Sequence, residues 1–294
     1  MKAAILEFSP SNNTNRVGEL LKTKLEQNNI TVQLVNITGN KDYFLTNNKQ
    51  DFLQKTINKH DILFIGSPVY AHHLQYHVKD LIKNLPRPVN GWSKIAVPFV
   101  TYGGINSGIA LDEAGKLLQK SGRIVVAGIK VSSSHHMTKA FMKEEYNKDQ
   151  LEDKLLFTIG ELVKRISLAD LASLKDNSKY LKYQDLMIYL KADLIFREKI
   201  WHKKMYPKIA INDNQCIKCG KCVKVCPVCH LEQNKDKSII RNMNSECIHC
   251  FNCIFECSQK AITPVGNLER AEKFMKSMIK KGKEVPDTCL YPKL

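Results

Sequence analysis

Residues 216–227 read CIKCGKCVKVCP, and this stretch decides the fold of the C-terminal part of the chain. Its four cysteines are separated by two, two and three residues. Residues 247–257, CIHCFNCIFEC, repeat the same spacing. One loop with three closely spaced thiolates binds three irons of a cubane cluster, and the fourth iron is then bound by a cysteine from elsewhere. Because the pattern occurs twice, the sequence predicts two 4Fe-4S clusters.

The two cysteine runs are expected to exchange ligands. Where a protein holds two such clusters, the fourth cysteine of each run binds the cluster of the other run. The expected ligand sets are Cys216, Cys219, Cys222 and Cys257 for the first cluster, and Cys247, Cys250, Cys253 and Cys226 for the second. Residues 207–265 closely resemble bacterial ferredoxins with two 4Fe-4S clusters. Such ferredoxins often place a proline after each run, and Ser258 at the second position is a departure that affects loop shape rather than ligation.

Other interpretations of the cysteines are less consistent with their order. Structural zinc sites use separated Cys-x2-Cys pairs, whereas both runs here have three thiols in one loop and a fourth beyond it. Cys222, Cys226 and Cys229 also mimic the triplet of radical enzymes that use adenosylmethionine, but this triplet lies inside the ferredoxin-like run. Cys229 and Cys289 fall outside both sets and are interpreted as plain thiols, with Cys229 close enough to a cluster to be an exchange ligand.

The bulk composition is that of a soluble protein with two modules. The chain has 294 residues, 43% of them hydrophobic and 25% charged, and no apolar run approaches the roughly 18 residues of a membrane span. The N-terminus lacks the features of a secretory signal, so we expect a cytoplasmic protein with reduced thiols, from an anaerobe. The net charge of +16 is spread along the chain, which favours acidic partners but is more often a solvated surface.

The first half of the chain alternates apolar runs with helical patterns. The apolar runs are KAAILEF, TVQLVNI, DILFIGS, KIAVPFVTY and RIVVAGIKV, and the helical patterns follow them at residues 15–27, 51–59, 74–85, 108–121 and 151–166. Five strand–helix units in succession predict an α/β fold, in which a doubly wound parallel sheet carries helices on both faces. Ligands of such sheets bind beyond the carboxyl ends of the strands.

A polar stretch, SPSNNT, follows the first apolar run and leads into the first helix. The hydroxyls of Ser9, Ser11 and Thr14, the amides of Asn12 and Asn13, and the free N–H groups of a helix start suit a phosphate. The stretch lacks the Gly-Lys-Ser/Thr of a Walker loop and the spaced glycines of a dinucleotide site. It looks like the flavin mononucleotide (FMN) loop of flavodoxins, with Asn12 where a glycine is usual.

Two further loops are expected at the same edge of the sheet. The third run ends in GSPVYA and the fourth in TYGG. The resemblance to flavodoxins implies a five-stranded sheet of order 2-1-3-4-5, with these loops on either side of the isoalloxazine ring. The implied ring-binding residues are Pro68, Val69, Tyr70 and Ala71 in one loop, and Thr101, Tyr102, Gly103 and Gly104 in the other. Tyr70 and Tyr102 are candidates for stacking on the ring, and the alternative is that they pack on the loops.

Five histidines lie near these loops. They are His72, His73, His77, His135 and His136. The i, i+4 spacing of His73 and His77 suits a metal on one helical face, but no acidic or thiol partner is near in sequence. We therefore interpret the group as a rim of the flavin pocket, facing a substrate or a docking partner.

The expected domain organisation has four parts. They are a flavodoxin-like FMN domain at residues 1–166, a helical connector at 167–206, a two-cluster ferredoxin domain at 207–265 and a C-terminal helix and tail at 266–294. The aromatic and basic residues at the end of the connector, FREKIWHKKMYPK, favour packing against both domains over contact with lipid or nucleic acid.

The whole chain resembles fusions of a flavodoxin with a ferredoxin. This resemblance implies an electron-transfer protein that moves electrons between FMN and two 4Fe-4S clusters, and on to a redox protein or a small-molecule acceptor or donor. One alternative is a flavin-dependent reductase of a quinone, a nitro or azo compound, or a nicotinamide nucleotide. Another is a sensor that binds nucleic acid, for which no DNA- or RNA-binding motif is present. The oligomeric state stays open, with a homodimer among the options.

Overall fold

A computed structural model describes residues 1–142, 145–147, 152–198, 201, 205–282 and 284–293 of the chain. Its N-terminal part is a sheet with helices on both faces. The strands are β1 (Lys2–Glu7), β2 (Thr31–Asn36), β3 (Ile62–Tyr70), β4 (His73–Leu74), β5 (Ile95–Tyr102), β6 (Ile124–Val125) and β7 (Gly128–Ser132). The helices are α1 (Asn13–Glu26), α2 (Lys41–Phe44), α3 (Lys49–Thr56), α4 (Tyr76–Lys83), α5 (Ala110–Lys120) and α6 (Glu152–Ser167), with α7 (Leu186–Leu194) in the connector.

The strand order confirms the predicted fold class. The main strands run β2-β1-β3-β5-β7 and all pair in parallel, which is the order 2-1-3-4-5. The fifth apolar run is divided between β6 and β7, and both of these strands pair with β5. Leu151, where the last helix was predicted to begin, lies outside the described residues, and α6 is described from Glu152.

Successive side chains along the buried strands point to opposite faces of the sheet, so they pack in two hydrophobic cores. Ile5 of β1 lies on the face covered by α1 and α6, together with Leu21 and Ile159 of those helices. Leu6, its neighbour, faces the opposite way and packs in the core that includes Leu81 of α4. Both faces of the sheet are thus covered, and the open positions for a ligand lie at its carboxyl edge.

The C-terminal part is a small module with an internal repeat. Its elements are β8 (Lys208–Ile211), α8 (Lys221–Lys224), β9 (Leu231–Gln233), β10 (Ile239–Arg241), α9 (Asn252–Phe255) and β11 (Ile262–Val265). Strand β8 pairs with β11 and β9 with β10, both antiparallel. Each short helix follows a residue in the left-handed conformation, Gly220 with φ 72° and Phe251 with φ 64°, so the two cysteine loops turn in the same way.

The end of the chain returns to the first module. After α10 (Leu268–Lys281), strand β12 (Cys289–Tyr291) pairs antiparallel with β7 and extends the order to β2-β1-β3-β5-β7-β12. With β4 and β6 the sheet has eight strands among the described residues, which is more than the five predicted. Glu284 accepts hydrogen bonds from the backbone and hydroxyl of Ser107 at 2.7 Å and from Lys130 at 2.5 Å. Strand β12 is not evident from the sequence, because three residues are too few to show a hydrophobic period that would indicate a partner strand.

Across the described ranges, none of the helices has both the length and the apolar character that crossing a membrane requires.

Candidate functional site

The predicted first cysteine set surrounds one small cavity of the C-terminal module. Its walls include all four of these residues together with the apolar side chains of Ile211, Ile239 and Ile262. The four thiols are Cys216, Cys219, Cys222 and Cys257. Cys257 comes from the second run, so folding brings a thiol of one run to the loop of the other. Four thiols around a largely apolar cavity are a donor set that fits an iron–sulfur cluster.

In the predicted second set, Cys226, Cys250 and Cys253 are buried and Cys247 is half-buried. Burial, with smaller contributions from the neighbouring Cys247 and Cys226, raises the pKa of the Cys253 thiol to about 12. Burial also raises the pKa of Cys250 well above its ordinary value, with added contributions from the same neighbours. Electrostatic contributions of this kind link all four cysteines of the set. Buried thiols of this kind become thiolates when a metal supplies the compensating charge, and the set therefore fits a cluster.

The two remaining cysteines have protein partners. Cys229 donates from Sγ to the carbonyl oxygen of Gly39 at 3.6 Å, and burial raises its pKa to about 11. Cys289 lies on β12 and donates to Asp287 Oδ2 at 3.0 Å. Neither residue lines the cavity of the first set.

The polar loop between β1 and α1 is held to the other strand-end loops. Ser9 Oγ accepts from the backbone of Asn15 at 2.8 Å, and Asn13 Nδ2 donates to the Ser134 carbonyl at 3.0 Å. The hydroxyls of Thr14 and Thr101 lie 2.8 Å apart. Asn12 has φ 65°, a left-handed conformation that asparagine tolerates, so it performs the turn expected of a glycine. The first-turn N–H groups of α1 have no partner within the helix and suit an anion.

A pocket at the carboxyl edge of the sheet joins the three predicted loops. Its walls include Ser11, Asn13, Pro68, Val69, Tyr70, Thr101, Tyr102 and Gly103 among the predicted residues, together with residues 133–137 and Cys250. Ala71 lines an adjoining cavity. The walls of both cavities lack four predicted residues, Ser9, Asn12, Thr14 and Gly104. The first three instead set the conformation of the polar loop between β1 and α1. The site therefore contains a cysteine of the second set, which comes from the other module.

The absence of a side chain at Gly103 keeps the pocket open. A Cβ atom at this position would lie 2.4 Å from the imidazole of His135. Burial lowers the pKa of His135 to about 4, and burial together with His73 lowers the pKa of His72 to about 4. Both imidazoles are therefore neutral at pH 7 and offer hydrogen bonds without charge. A narrow backbone-lined slot between neutral groups fits a flat heteroaromatic ring.

The adjoining cavity has an aromatic and thioether roof. It shares Tyr70, Gly103 and His135 with the pocket described above. The roof comprises Phe196, Trp201 and Tyr206 from the connector region, and Phe274, Met275 and Met278 from α10. These residues were not identified from the sequence. For Phe196, Trp201 and Tyr206, the sequence feature that could have indicated the cavity was the aromatic stretch at the end of the connector. Residues 199–200 and 202–204 of this stretch lie outside the described part of the chain.

The predicted tyrosines and histidines do not all lie at one site. The hydroxyl of Tyr102 donates to the Asp287 carbonyl at 3.2 Å and accepts from the Asp287 amide at 2.8 Å, which ties it to the C-terminal segment. His73 lies in β4 and His77 in α4, so they do not share one helical face. Both line a different cavity, with Lys49 and Lys79. His72 and His135 remain at the predicted site, where His136 also lines the pocket.

Direct hydrogen bonds join the two modules beside the pocket. Asn252 of α9 donates from Nδ2 to the Pro10 carbonyl at 2.5 Å and accepts from His136 Nε2 at 2.9 Å. The Gly39 amide donates to the Pro227 carbonyl at 2.8 Å. These contacts fix the second cysteine set against the polar loop and the edge of the sheet.

A buried carboxyl group lies behind the polar loop. Glu7 Oε1 accepts from Asn36 at 3.1 Å, while Oε2 has no hydrogen-bond partner among the described residues. Burial, with a smaller contribution from Glu19, raises its pKa from 4.5 to about 8. Between these pH values the folded state retains a proton that the unfolded state releases, so stability falls as pH rises from about 4.5 to about 8.

Replacing Glu7 with Gln should therefore raise the melting temperature at pH 8 by several degrees and change it little at pH 5. The physical reason is that the amide has no proton to lose, and each unit of pKa shift corresponds to about 1.4 kcal/mol. Thermal unfolding of the anaerobic holoprotein, followed by circular dichroism at both pH values, measures the difference. Glu26→Gln, at an exposed position of α1, is the matched control. Equal effects of Glu7→Gln at both pH values would contradict the prediction.

Comparison with known proteins identifies the C-terminal module. The family model described as a 4Fe-4S dicluster domain matches residues 208–258. The chain therefore combines a flavodoxin-like α/β part with a 4Fe-4S dicluster domain, as the sequence analysis predicted. No curated protein matches the sequence.

Solved structures that resemble the N-terminal part include flavodoxins and an NADH:FMN oxidoreductase. A flavodoxin from the domain Archaea has 20% identity and a TM-score of 0.39, covering 57% of this chain and 96% of its own. Flavodoxin 1 from Bacillus cereus has 18% identity and a TM-score of 0.38, with coverages of 56% and 99%. An NADH:FMN oxidoreductase in its apo form has 18% identity and a TM-score of 0.43, with coverages of 60% and 94%. The flavodoxin-like topology of this chain rests on its own strand order.

Proposed function

We propose that this protein transfers electrons between FMN, bound at the edge of the main sheet, and two 4Fe-4S clusters bound by the crossed cysteine sets. The observation that carries the proposal is that Cys250 lines the same pocket as Tyr70 and Gly103. A ligand of the second cluster is thereby in direct contact with the flavin site. Electron transfer depends steeply on distance, and this arrangement makes the first step short.

The residues around the pocket divide the binding of FMN between them. The hydroxyl of Ser11 and the backbone N–H groups of Asn13 and Thr14, which begin α1, would bind the phosphate. The loops at 68–71 and 101–103 enclose the ring, and the neutral imidazole of His135 borders it without a competing charge. When bound, FMN exchanges two electrons with a donor or acceptor and passes them one at a time to a one-electron carrier.

The two clusters occupy different environments. The second set lies at the junction of the modules, where Cys226, Cys250 and Cys253 are buried and Cys247 is half-buried. In the first set, Cys219 is exposed. This order predicts a chain from the flavin to the second cluster, then to the first cluster and out of the protein.

The roofed cavity beside the pocket favours a second candidate function. Its aromatic and methionine side chains suit a flat organic substrate, such as a quinone or a nitro or azo compound, reduced at the flavin. A nicotinamide nucleotide belongs to the same candidate group. Steady-state turnover of such compounds by purified holoprotein, without a second redox protein, distinguishes a reductase from a carrier.

Anaerobically purified protein should contain about one FMN and about eight iron atoms per chain. Flavin is released by heating and identified by chromatography, and iron is counted by a colorimetric assay. Chemical reduction followed by rapid mixing with an oxidant should show the flavin and cluster absorbances changing together. Absence of flavin would contradict the first half of the proposal, and about four iron atoms or fewer would contradict the second.

A further inference from the structure

The exposed end of the cluster chain carries a distinctive surface, and its interpretation rests on the proposed function. Cys219, a ligand of the first cluster, is exposed, whereas Cys250 and Cys253 of the second set are buried. Ile217, beside Cys219 in the same loop, is 62% exposed. An exposed cysteine of the first set next to an exposed large apolar side chain suits contact with a redox partner.

Exposed lysines surround this point. We define the basic face as Lys218, Lys221, Lys235, Lys237 and Lys260. Gln233 Nε2 donates to the carbonyl oxygens of Lys218 at 2.8 Å and Lys237 at 3.2 Å, so the cysteine loop and the β9–β10 turn adjoin. The Lys260 amide donates to the Cys257 carbonyl at 3.0 Å, and Lys221 lines the cavity of the first set.

Acidic residues of the same loops do not neutralise this face. Asp236 lies 3.8 Å from Lys218 Nζ, a long and exposed ion pair that contributes little. Asp213 precedes the first cysteine and accepts at its backbone carbonyl from Cys216. The remaining lysines of the basic face outnumber these acids, and the surface around Cys219 is positive.

We propose that the basic face is the docking surface for an acidic electron-transfer protein. An apolar centre surrounded by charge is the anatomy of a transient protein interface, and charge complementarity raises the rate of encounter. The position of an exposed cluster ligand inside the face favours a redox protein over a lipid surface or nucleic acid, neither of which uses the cluster. In each encounter one electron passes from the reduced first cluster to the oxidised centre of the partner, with no bond made or broken.

The test measures electron transfer from reduced holoprotein to a probe protein of known charge. Holoprotein reduced by dithionite and freed of excess reductant is mixed in a stopped-flow instrument with oxidised rubredoxin of acidic composition. Wild type is compared with the variant K218E/K221E/K235E and with K55E/K94E/K120E, which changes the net charge equally at exposed lysines of the other module. Iron and flavin are counted in every sample.

The second-order rate constant of the wild type should fall about tenfold between low and physiological ionic strength. At low ionic strength the K218E/K221E/K235E variant should be slower by about tenfold or more, while K55E/K94E/K120E stays within about twofold of wild type. With the basic protein cytochrome c as the probe, the variant of the basic face should instead be faster than wild type.

Equal rates for the two variants with rubredoxin would overturn the proposal, and intact flavin and iron contents would then leave the proposed function standing. Loss of flavin or iron from the wild type would instead count against the proposed function itself. Should the first variant lose iron, K235E/K237E gives the same comparison, because the β9–β10 turn carries no ligand. The docking proposal would also be overturned if the basic face bound anionic vesicles or duplex DNA while its variants left the rate of electron transfer to rubredoxin unchanged.

Discussion

Replacing Cys250 with Ala should lower the iron content of the anaerobic holoprotein from about eight to about four atoms per chain. Cys250 belongs to the second set, and the sulfur of the spare thiol Cys229 is bound to the Gly39 carbonyl instead. The first cluster should remain, since its four cysteines surround a separate cavity. Because the proposed electron path runs from the flavin through the second cluster to the first, oxidation of reduced flavin through the first cluster should slow by at least about a hundredfold.

The matched control for this variant is Cys229→Ala. Cys229 is also buried and lies three residues after Cys226, but its sulfur contacts the Gly39 carbonyl. Its removal should leave about eight iron atoms per chain. Iron counting and low-temperature electron paramagnetic resonance of the reduced samples measure both variants. Retention of about eight iron atoms by Cys250→Ala, or loss of four by Cys229→Ala, would contradict the assigned ligand sets.

Replacing Gly108 with Ala should destabilise the N-terminal module by about 3 kcal/mol or more. Gly108 has φ +58°, and a Cβ atom there would lie 2.0 Å from the backbone carbonyl oxygen of His72. That carbonyl accepts a hydrogen bond from Ile109 at 2.8 Å, so the two loops cannot separate without losing it. The loop of Ala71 and His72 borders the roofed cavity, and its displacement should also weaken flavin binding about tenfold or more.

Gly160→Ala is the control for the substitution at Gly108. Gly160 lies within α6, and a Cβ atom added there meets nothing within 4 Å. Alanine should therefore stabilise the helix by about 0.5–1 kcal/mol. Thermal unfolding and flavin titration of both variants measure the contrast. Similar melting temperatures for the two variants would show that the loop at Gly108 adapts without strain.

Regular spacing explains which parts of this protein were predictable. The doubly wound sheet follows from the alternation of apolar runs and helical patterns. The spacing of hydrophobic residues in each segment indicates which of its faces is buried, and this depends on that segment alone. The loops at 9–14, 68–71 and 101–104 follow from the rule that parallel strands end at one edge. His77 was expected at the pocket because it is near in sequence, yet it packs against Phe44 at 4.9 Å between ring centroids.

The sequence by itself determined two cysteine loops of identical spacing and a parallel sheet with a polar loop after its first strand, because these features depend on neighbours within one segment. Only the tertiary structure decided that Cys250 lines the pocket of Tyr70 and Gly103, that α10 covers the adjoining cavity, and that β12 joins the main sheet. Contacts between distant segments, such as the hydrogen bond from Asn252 to Pro10, depend on the shapes and polar groups of both surfaces. The spacing of residues within one segment gives no indication of them.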